Sequence, residues 1–597
     1  VRSLIQRVLR RLGRDPGLAY LAVGLVLAVV LYAPTLGRGL VNYDDPWLYQ
    51  DNALVRRPSL ANVRTVLTDL ELPNRFTLGA EYLPVRDLSV MTDVAVWGEH
   101  YGGFHATNVA IYLAAIAFWF LALVAFGVPR EVAGLALVIW AVHPVHVESV
   151  AWLAERKGVL GAMWSGACAL GYARFRANGR ARWLVLAVVT SVAAVWSKAI
   201  AAFAVAALAA IELVLRRSGA AVPLRRSARG LATIALFAGL AYVPVVLVAT
   251  RLGVVGTGAA WSRPVAVLGA HGFYLRLVAG LVANAVSYPI ASAGPSMFDI
   301  ALGALGFIAL ALAFLPRWTS RPWALPLRIA AVLWLFGWLP VGHLVLPIQQ
   351  VFVADRYMLF SSLGFALVLA VGIAQLGRLR TLVIVVVVVA LSARAFVAQD
   401  HWASNTRLWQ RAATSNPADA NAWAMYVESL DSEGRTGEAM RVAEAALAHA
   451  RSPRLVMHAA LAALAAGHLV EGLRLMTEAA TGGEPRAAAN LANLLADFGE
   501  LRDALLWARL AAVTAPSYAN GHRIHGKIAR LIDRYSPEAL DAFSRAYQLE
   551  PESAANRYNL GISLGDAGRK AEARMLLQSC LADPGMAQSA RLALDHL

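Results

Sequence analysis

Apolar stretches recur along the first two thirds of this chain, and they decide what it can fold into. A helical crossing of a bilayer needs ~20 mainly apolar residues. Inside hydrocarbon every backbone polar group must be satisfied, which leaves helices or a closed barrel. The stretches are continuous rather than alternating, so helices are predicted. Eleven spans are read, over 17–36, 105–127, 132–147, 158–173, 183–199, 200–215, 230–250, 298–315, 329–347, 358–376 and 381–397. Segment 264–290, apolar but interrupted by His271, Arg276 and Asn284, is read as a helix along the outer interface. The composition agrees: 58% of residues are hydrophobic and the mean hydropathy is +0.55, beyond the usual apolar share of a soluble domain. Arg2, Arg7, Arg10, Arg11 and Arg14 precede the first span. That span is long enough to cross and no small-x-small site follows it, so it is read as a membrane helix rather than a cleaved signal. Two cysteines, Cys168 and Cys580, exclude a disulfide-rich scaffold.

The net charge of +16 raises nucleic acid as a partner, but its distribution argues against one. Residues 398–597 hold 20 basic and 22 acidic residues, whereas 1–397 hold 34 and 16. With the N-terminus inside and the spans alternating, the inner ends receive 20 basic residues. These are the five N-terminal arginines, Arg130, Arg174, Arg176, Arg180, Arg182, Arg216, Arg217, Arg225, Arg226, Arg229, Arg317, Arg321, Arg328, Arg378 and Arg380. The short outer connections receive eight: Arg156, Lys157, Lys198, Arg251, Arg263, Arg276, Arg356 and Arg394. This asymmetry is the positive-inside pattern. It places loop 37–104 and everything after residue 397 outside the cytoplasm, in a bacterial inner membrane with a periplasmic tail.

The tail, 398–597, is a repeat array. Pro417, Pro453, Pro485, Pro516, Pro551 and Pro584 are spaced by 36, 32, 31, 35 and 33 residues, and Gly434, Gly467, Gly499 and Gly568 by 33, 32 and 69. A period near 34, with Pro between units and Gly in the inner turn, predicts tetratricopeptide-type helical hairpins. Each unit buries its apolar face by stacking on its neighbour. The fold class is therefore all-α: a polytopic bundle over 1–397 followed by a soluble α-solenoid.

Several polar strings sit at the outer ends of the spans. Asn42-Tyr43-Asp44-Asp45-Pro46-Trp47 follows the first span. Adjacent carboxylates at an interface disfavour each other's ionisation, so one can serve as a proton acceptor, or the pair simply starts a hydrated loop. Tyr43 and Trp47 can stack on a sugar or sit at the headgroups. His143-Pro144-Val145-His146-Val147-Glu148 ends the third span and Glu155-Arg156-Lys157 opens the fourth. Pro144 interrupts the helix that would align the two histidines on a metal. Arg156 and Lys157 suit a phosphate headgroup, or they snorkel. Asp355-Arg356 is a local ion pair or a second phosphate contact, and Lys198 is either a functional cation or part of a tight turn.

These strings together resemble the transmembrane and tetratricopeptide-repeat-containing O-mannosyltransferase family, in its bacterial form, within the GT-C glycosyltransferases. The matching segments are Val41 to Asp45, Tyr82-Leu83-Pro84-Val85-Arg86-Asp87-Leu88-Ser89, Gly103-Phe104-His105-Ala106-Thr107-Asn108, His143 through Lys157 and Ala354-Asp355-Arg356-Tyr357. Gly158 departs from the family, where an acidic residue is expected after Arg-Lys, as does Leu83 before Pro84. The resemblance implies a first outer loop that forms part of the site, an acidic pair serving the acceptor, and a polyprenyl-phosphate-linked sugar reaching the site from the bilayer. The expectation is inverting transfer of mannose or a similar hexose to a hydroxyl, on Ser/Thr of an exported protein held in the repeat groove. Asp44 and Asp45 are the expected catalytic pair. Arg156, Lys157, Arg356 and Arg86 are expected on the donor phosphate, and Tyr43, Trp47, His143, His146, Glu148 and Asp355 on substrate. Cations in place of a divalent ion lead to the expectation of no required metal or cofactor.

Other classes predict different features. A surface-polysaccharide ligase or polymerase usually places its large outer loop late, whereas here the long loop comes first. A non-catalytic repeat scaffold has no need of eleven spans and nine acidic residues in 37–104. A transporter usually shows broken helices near midplane and internal symmetry.

Overall fold

The computed structural model describes residues 15–252, 263–315, 321–344 and 351–597. The five N-terminal arginines and Arg317 of the charge argument lie outside the described residues. No strand occurs among those described. The chain forms two compact units, Val1–Arg411 and Ala412–Leu597. The division falls 14 residues beyond the expected boundary at 397, because Trp402 and Trp409 pack on Tyr43 of the first loop and belong to the first unit.

Among the described residues, six helices of the first unit are long and apolar enough to cross a membrane: Pro16–Gly37, Tyr101–Ala125, Ala199–Arg217, Leu224–Arg251, Ala324–Val341 and Gly377–Asp400. A seventh results if Arg130–Ala141 and Pro144–Ala151, bent by 59°, count as one span. The other expected spans are also helical, but they fall short of crossing length or composition. Ala181–Ser197, Met297–Leu312 and Ser362–Ala374 have 17, 16 and 13 residues. Arg156–Asn178 carries Arg156, Lys157, Arg174 and Arg176. The count of eleven therefore stands as six or seven by length and composition. The boundary errors trace to polar residues at helix ends, which continuous apolar composition does not register.

Segment 264–290 also differs from its expected place. Arg263–Val278 is a helix whose residues Ala266, Ala270, Phe273, Tyr274 and Leu277 join the same buried cluster as Trp334, Trp338 and Met358. His271 is fully buried: Nδ1 meets the Gly303 carbonyl at 3.0 Å and Nε2 accepts from Trp334 Nε1 at 2.9 Å. The interrupting polar residues are thus satisfied inside the bundle, where unpaired they would be costly. The helix crosses Met297–Leu312 through glycine. A Cβ on Gly272 would lie 1.8 Å from the Asp299 carbonyl oxygen.

The second unit is a stack of helical hairpins: Ala420–Ser432 with Thr436–His449, Pro453–Ala465 with Leu469–Thr481, Pro485–Asp497 with Leu501–Thr514, Ala519–Ile532 with Pro537–Leu549, and Ala554–Asp566 with Lys570–Ser579. Helix Ala587–Asp595 follows. Pro453 and Pro485 take the first helical position, where a missing N–H costs nothing. Gly434, Gly467, Gly499 and Gly568 all sit in the hairpin turns at φ between 73° and 86°, a region that a side chain disfavours. The fourth hairpin turns through Asp533 to Ser536 without glycine, which accounts for the doubled spacing of 69.

The glycine crossing gives a stability test. Gly272→Ala should lower the thermal midpoint of the detergent-solubilised protein, by about 1–3 kcal/mol of overpacking. Gly372→Ala, also helical but with no atom within 4 Å of the added carbon, should leave it unchanged or raise it.

Candidate functional site

The site is built on a broken helix. Arg130–Ala141 ends at Val142, short turns cover Pro144–His146 and Leu153–Glu155, and Arg156–Asn178 then begins. Asp45, 1% exposed, holds this break to the first loop. Its Oδ2 accepts from the Val41 amide at 3.0 Å and its Oδ1 from the Ala154 amide at 2.8 Å. Burial pushes its carboxyl up to about 7, against the pull of those two amides. Asp44 points differently. It is half-buried, and among the described residues no hydrogen bond or ion pair engages its carboxylate. The pair thus separates into a clamp and an unengaged acid.

Aromatic rings surround that acid's neighbour, Tyr43. Tyr43 lies 4.8 Å from the Trp152 ring, 5.5 Å from Trp409 and 6.5 Å from Trp402. Trp152 and Trp402 stack at 5.3 Å. Asn42 is pinned as well: its amide donates to Asn405 Oδ1 at 2.7 Å, and its Oδ1 accepts from Trp409 Nε1 at 2.6 Å. Trp47 takes no part in this cage. Its ring covers Gly79 and lies under the Arg86 guanidinium at 5.9 Å.

The cations divide by how many of their nitrogens are already used. Arg156 is 0% exposed. Its Nε donates to Asn108 Oδ1 at 2.6 Å and its Nη2 to the Phe104 carbonyl at 2.8 Å, while Nη1 pairs with Asp93 at 2.5 Å. Arg86 spends Nε on Asp87, Nη1 on Glu81 and Nη2 on the Leu78 carbonyl. In both of these expected phosphate ligands each guanidinium nitrogen donates to an interior partner. Arg356 differs. Nη1 pairs with Glu148 and its backbone amide donates to Glu148 Oε2 at 2.8 Å. No bond among the described residues engages Nε or Nη2. Its guanidinium lies 5.6 Å over Trp152 and 5.2 Å over Tyr357. Lys157, 23% exposed, pairs with Glu81 at 2.9 Å. Lys198 pairs with Glu155, and burial pulls its ammonium below the usual lysine range. Arg356 and Lys157 lie within electrostatic reach of Lys198 and of Tyr357.

The two histidines are likewise engaged in the interior. His143 Nε2 meets the Val278 carbonyl at 3.0 Å, and its Nδ1 accepts from the Val145 amide. His146 Nδ1 meets Tyr112 Oη at 2.7 Å and Nε2 meets Ser362 Oγ at 2.8 Å. Both are 0% exposed, so neither has a nitrogen left for substrate or metal. Glu148 and Asp355 act behind Arg356. Glu148 holds its amide and guanidinium. Asp355 accepts from Asn284 Nδ2 at 2.7 Å and from Tyr288 Oη, and burial with the nearby Glu148 charge pushes it up to about 8. Gly158 has a local reason: an added Cβ would lie 2.7 Å from Glu155 Oε1.

No family model and no curated protein matches the chain. Among solved structures, the apo oligosaccharyltransferase of Archaeoglobus fulgidus is 13% identical with a TM-score of 0.38. That likeness covers 69% of this chain and 57% of the enzyme. YrrB, described as a tetratricopeptide protein with an unusual peptide-binding site, is 17% identical over 31% of this chain and 98% of its own, at a TM-score of 0.25. The Cut9–Hcn1 assembly is 12% identical over 93% of this chain and 96% of its own, at 0.29. At these scores none of the likenesses bears on function.

Asp45→Ala strips the Val41 and Ala154 amides of their acceptor, which typically costs ~1–3 kcal/mol for a buried group. Its thermal midpoint should fall, whereas that of Asp44→Asn should not. The raised Asp45 carboxyl also has a pH signature. Between the ordinary carboxylate range and about 7 the folded state holds the extra proton, so stability falls as pH rises through that window. Asp45→Asn, which cannot ionise, should flatten that part of the stability–pH curve.

Proposed function

We propose that the protein is a GT-C-type glycosyltransferase that moves a hexose from a polyprenyl-phosphate carrier to a hydroxyl acceptor. The observations that carry this reading are an unengaged carboxylate, Asp44, and Arg356, whose guanidinium keeps unspent donors over an aromatic shelf, both within electrostatic reach of Tyr43. Asp44 takes the proton from the acceptor hydroxyl as its oxygen attacks the anomeric carbon. The bond from that carbon to the phosphate oxygen breaks, and the configuration inverts. Polyprenyl phosphate leaves with the bonding electrons. Arg356, Lys157 and Lys198 stabilise the charge that develops on it, as preorganised donors do in a water-poor site. On this reading the three cations take the place of a divalent ion. Tyr43 and Tyr357 flank the sugar. Asp45 holds Asp44 in position, and Glu148 with Asp355 orients Arg356.

An apolar cleft supports the lipid carrier. Trp119, Ile200, Phe203, Leu208, Phe336 and Phe360 line it, starting two residues from Lys198. A Cβ on Gly161 would touch both Phe360 and Lys198, so the cleft and the cation adjoin. Mannose as the sugar and a Ser/Thr side chain as the acceptor are the readings the family resemblance favours. The hairpin array then binds the acceptor protein. The inner-membrane orientation, with loop 37–104 and the array in the periplasm, rests on the 20-to-8 basic asymmetry.

In a purified assay with a polyprenyl-phosphate hexose, Asp44→Asn should abolish transfer at an unchanged thermal midpoint. Arg356→Ala should reduce it by ~10²–10³, the usual loss for one such donor. Arg174→Ala should leave the rate alone. A folded Asp44→Asn protein that transfers at the normal rate would remove the proposal. Orientation is checked separately. Single cysteines in loop 37–104 and in the array should react with an impermeant maleimide in intact cells. Labelling only after lysis would reverse the topology and the donor assignment with it.

A further inference from the structure

A second apolar cleft lies near the far end of the helix that starts beside Lys198. Its volume is about 650 Å³, within the ~300–1,000 Å³ of small-ligand sites. Leu213, Phe307, Leu310, Phe314, Leu335 and Phe336 supply its apolar wall, and Arg217 and Arg328 its polar groups. Arg217 closes helix Phe203–Arg217 and Arg328 lies in the first turns of Ala324–Trp338. The 19 residues from Ala199 to Arg217 span ~27 Å at helical rise, close to a hydrocarbon core of ~30 Å. The arginine end is therefore at the opposite membrane face from the candidate catalytic site.

Of the two cations Arg328 is buried and Arg217 exposed, and neither has an ion pair among the described residues. Arg328 is 4% exposed and donates Nε to the Ala313 carbonyl and Nη2 to the Leu315 carbonyl, both at 3.2 Å. Among the described residues its Nη1 is unbonded, and Arg217 has no hydrogen bond or ion pair. Nor does the sequence provide a carboxylate nearby. Between Arg156 and Asp355 its only acidic residues are Glu212 and Asp299. Glu212 is spent on Arg176 and Arg216, and Asp299 on Arg276. An apolar cleft ending in two unpaired guanidiniums matches an amphiphile with an anionic head. A donor held by its phosphate at Lys198 would bring only hydrocarbon here, which has no use for the arginines.

We propose that this cleft binds an anionic glycerophospholipid, its phosphate on Arg217 and Arg328 and an acyl chain along Leu213, Phe307 and Phe314. The inference rests on the transferase reading only in excluding the donor as occupant. The test uses the full chain in nanodiscs of phosphatidylcholine with a minority of phosphatidylglycerol, followed by native mass spectrometry of retained lipid. Phosphatidylglycerol should be enriched on the wild type. Arg217→Ala should weaken retention roughly tenfold, as expected for loss of one charge-assisted contact. Ala311→Trp, which fills the cleft from an exposed position, should also abolish retention. Arg174→Ala, at the same end but outside the cleft, should retain the lipid as the wild type does. Equal retention of both lipids would overturn the site. So would an equal loss in Arg174→Ala, which would indicate a diffuse field. In a parallel nanodisc doped with polyprenyl phosphate, preferential retention of that lipid over phosphatidylglycerol would assign the cleft to the carrier and overturn the phospholipid proposal.

Discussion

A helix broken inside an apolar bundle leaves backbone amides and carbonyls that have no water to turn to. The break between Ala141 and Arg156 is the constraint on which the rest of the first unit depends. Side chains from other elements meet its orphan groups. Tyr112 Oη reaches the Trp140 and Ala141 carbonyls at 3.2 and 3.1 Å, and Tyr49 Oη donates to the Leu153 carbonyl at 2.7 Å. Asp45 accepts from the Ala154 amide. Each of these ties fastens a different part of the chain to the break. The polar strings of the first unit are thus, first, the chemistry that makes an interrupted helix tolerable.

That structural demand sorts the residues. Arg156 sits at the restart of the helix, and the Gly103–Asn108 string provides its cradle through the Phe104 carbonyl and Asn108. Asp45 completes the clamp. What remains uncommitted is a small set: Asp44, the unspent face of Arg356, and the lysines at 157 and 198, each held by a single carboxylate. Function in this account resides in the groups the fold leaves over. Arg156 and Arg86 already donate from all three guanidinium nitrogens, which leaves each fewer N–H groups for a phosphate than Arg356 keeps.

Much of this was legible in the sequence. The apolar runs located the helices, and the proline and glycine spacing located the hairpins. Three things were not legible. Apolar composition does not mark where a helix becomes too short to cross, so Ser362–Ala374 read as a span. A histidine or arginine looks the same in sequence whether its nitrogens are free or spent, so the interior bonds of His143, His146, Arg156 and Arg86 were not legible. Contacts at long separation carry no local signal: Trp402 and Trp409 join Tyr43 across more than 350 residues. Glu155 carried the one usable hint, since a glycine at 158 beside an acid three residues earlier is what a close Glu155–Lys198 pair requires.

The central claim is that Asp44 and Arg356, rather than Asp45 and Arg156, face the reacting atoms. It is tested most directly by a structure of the protein in a nanodisc with a non-transferable polyprenyl-phosphate sugar bound. The account predicts a phosphate oxygen about 3 Å from Arg356 Nε or Nη2, with the anomeric carbon on the Asp44 side and Arg156 still bound to Asp93 and Asn108. A phosphate seated on Arg156, or a sugar bound away from Asp44, would contradict it.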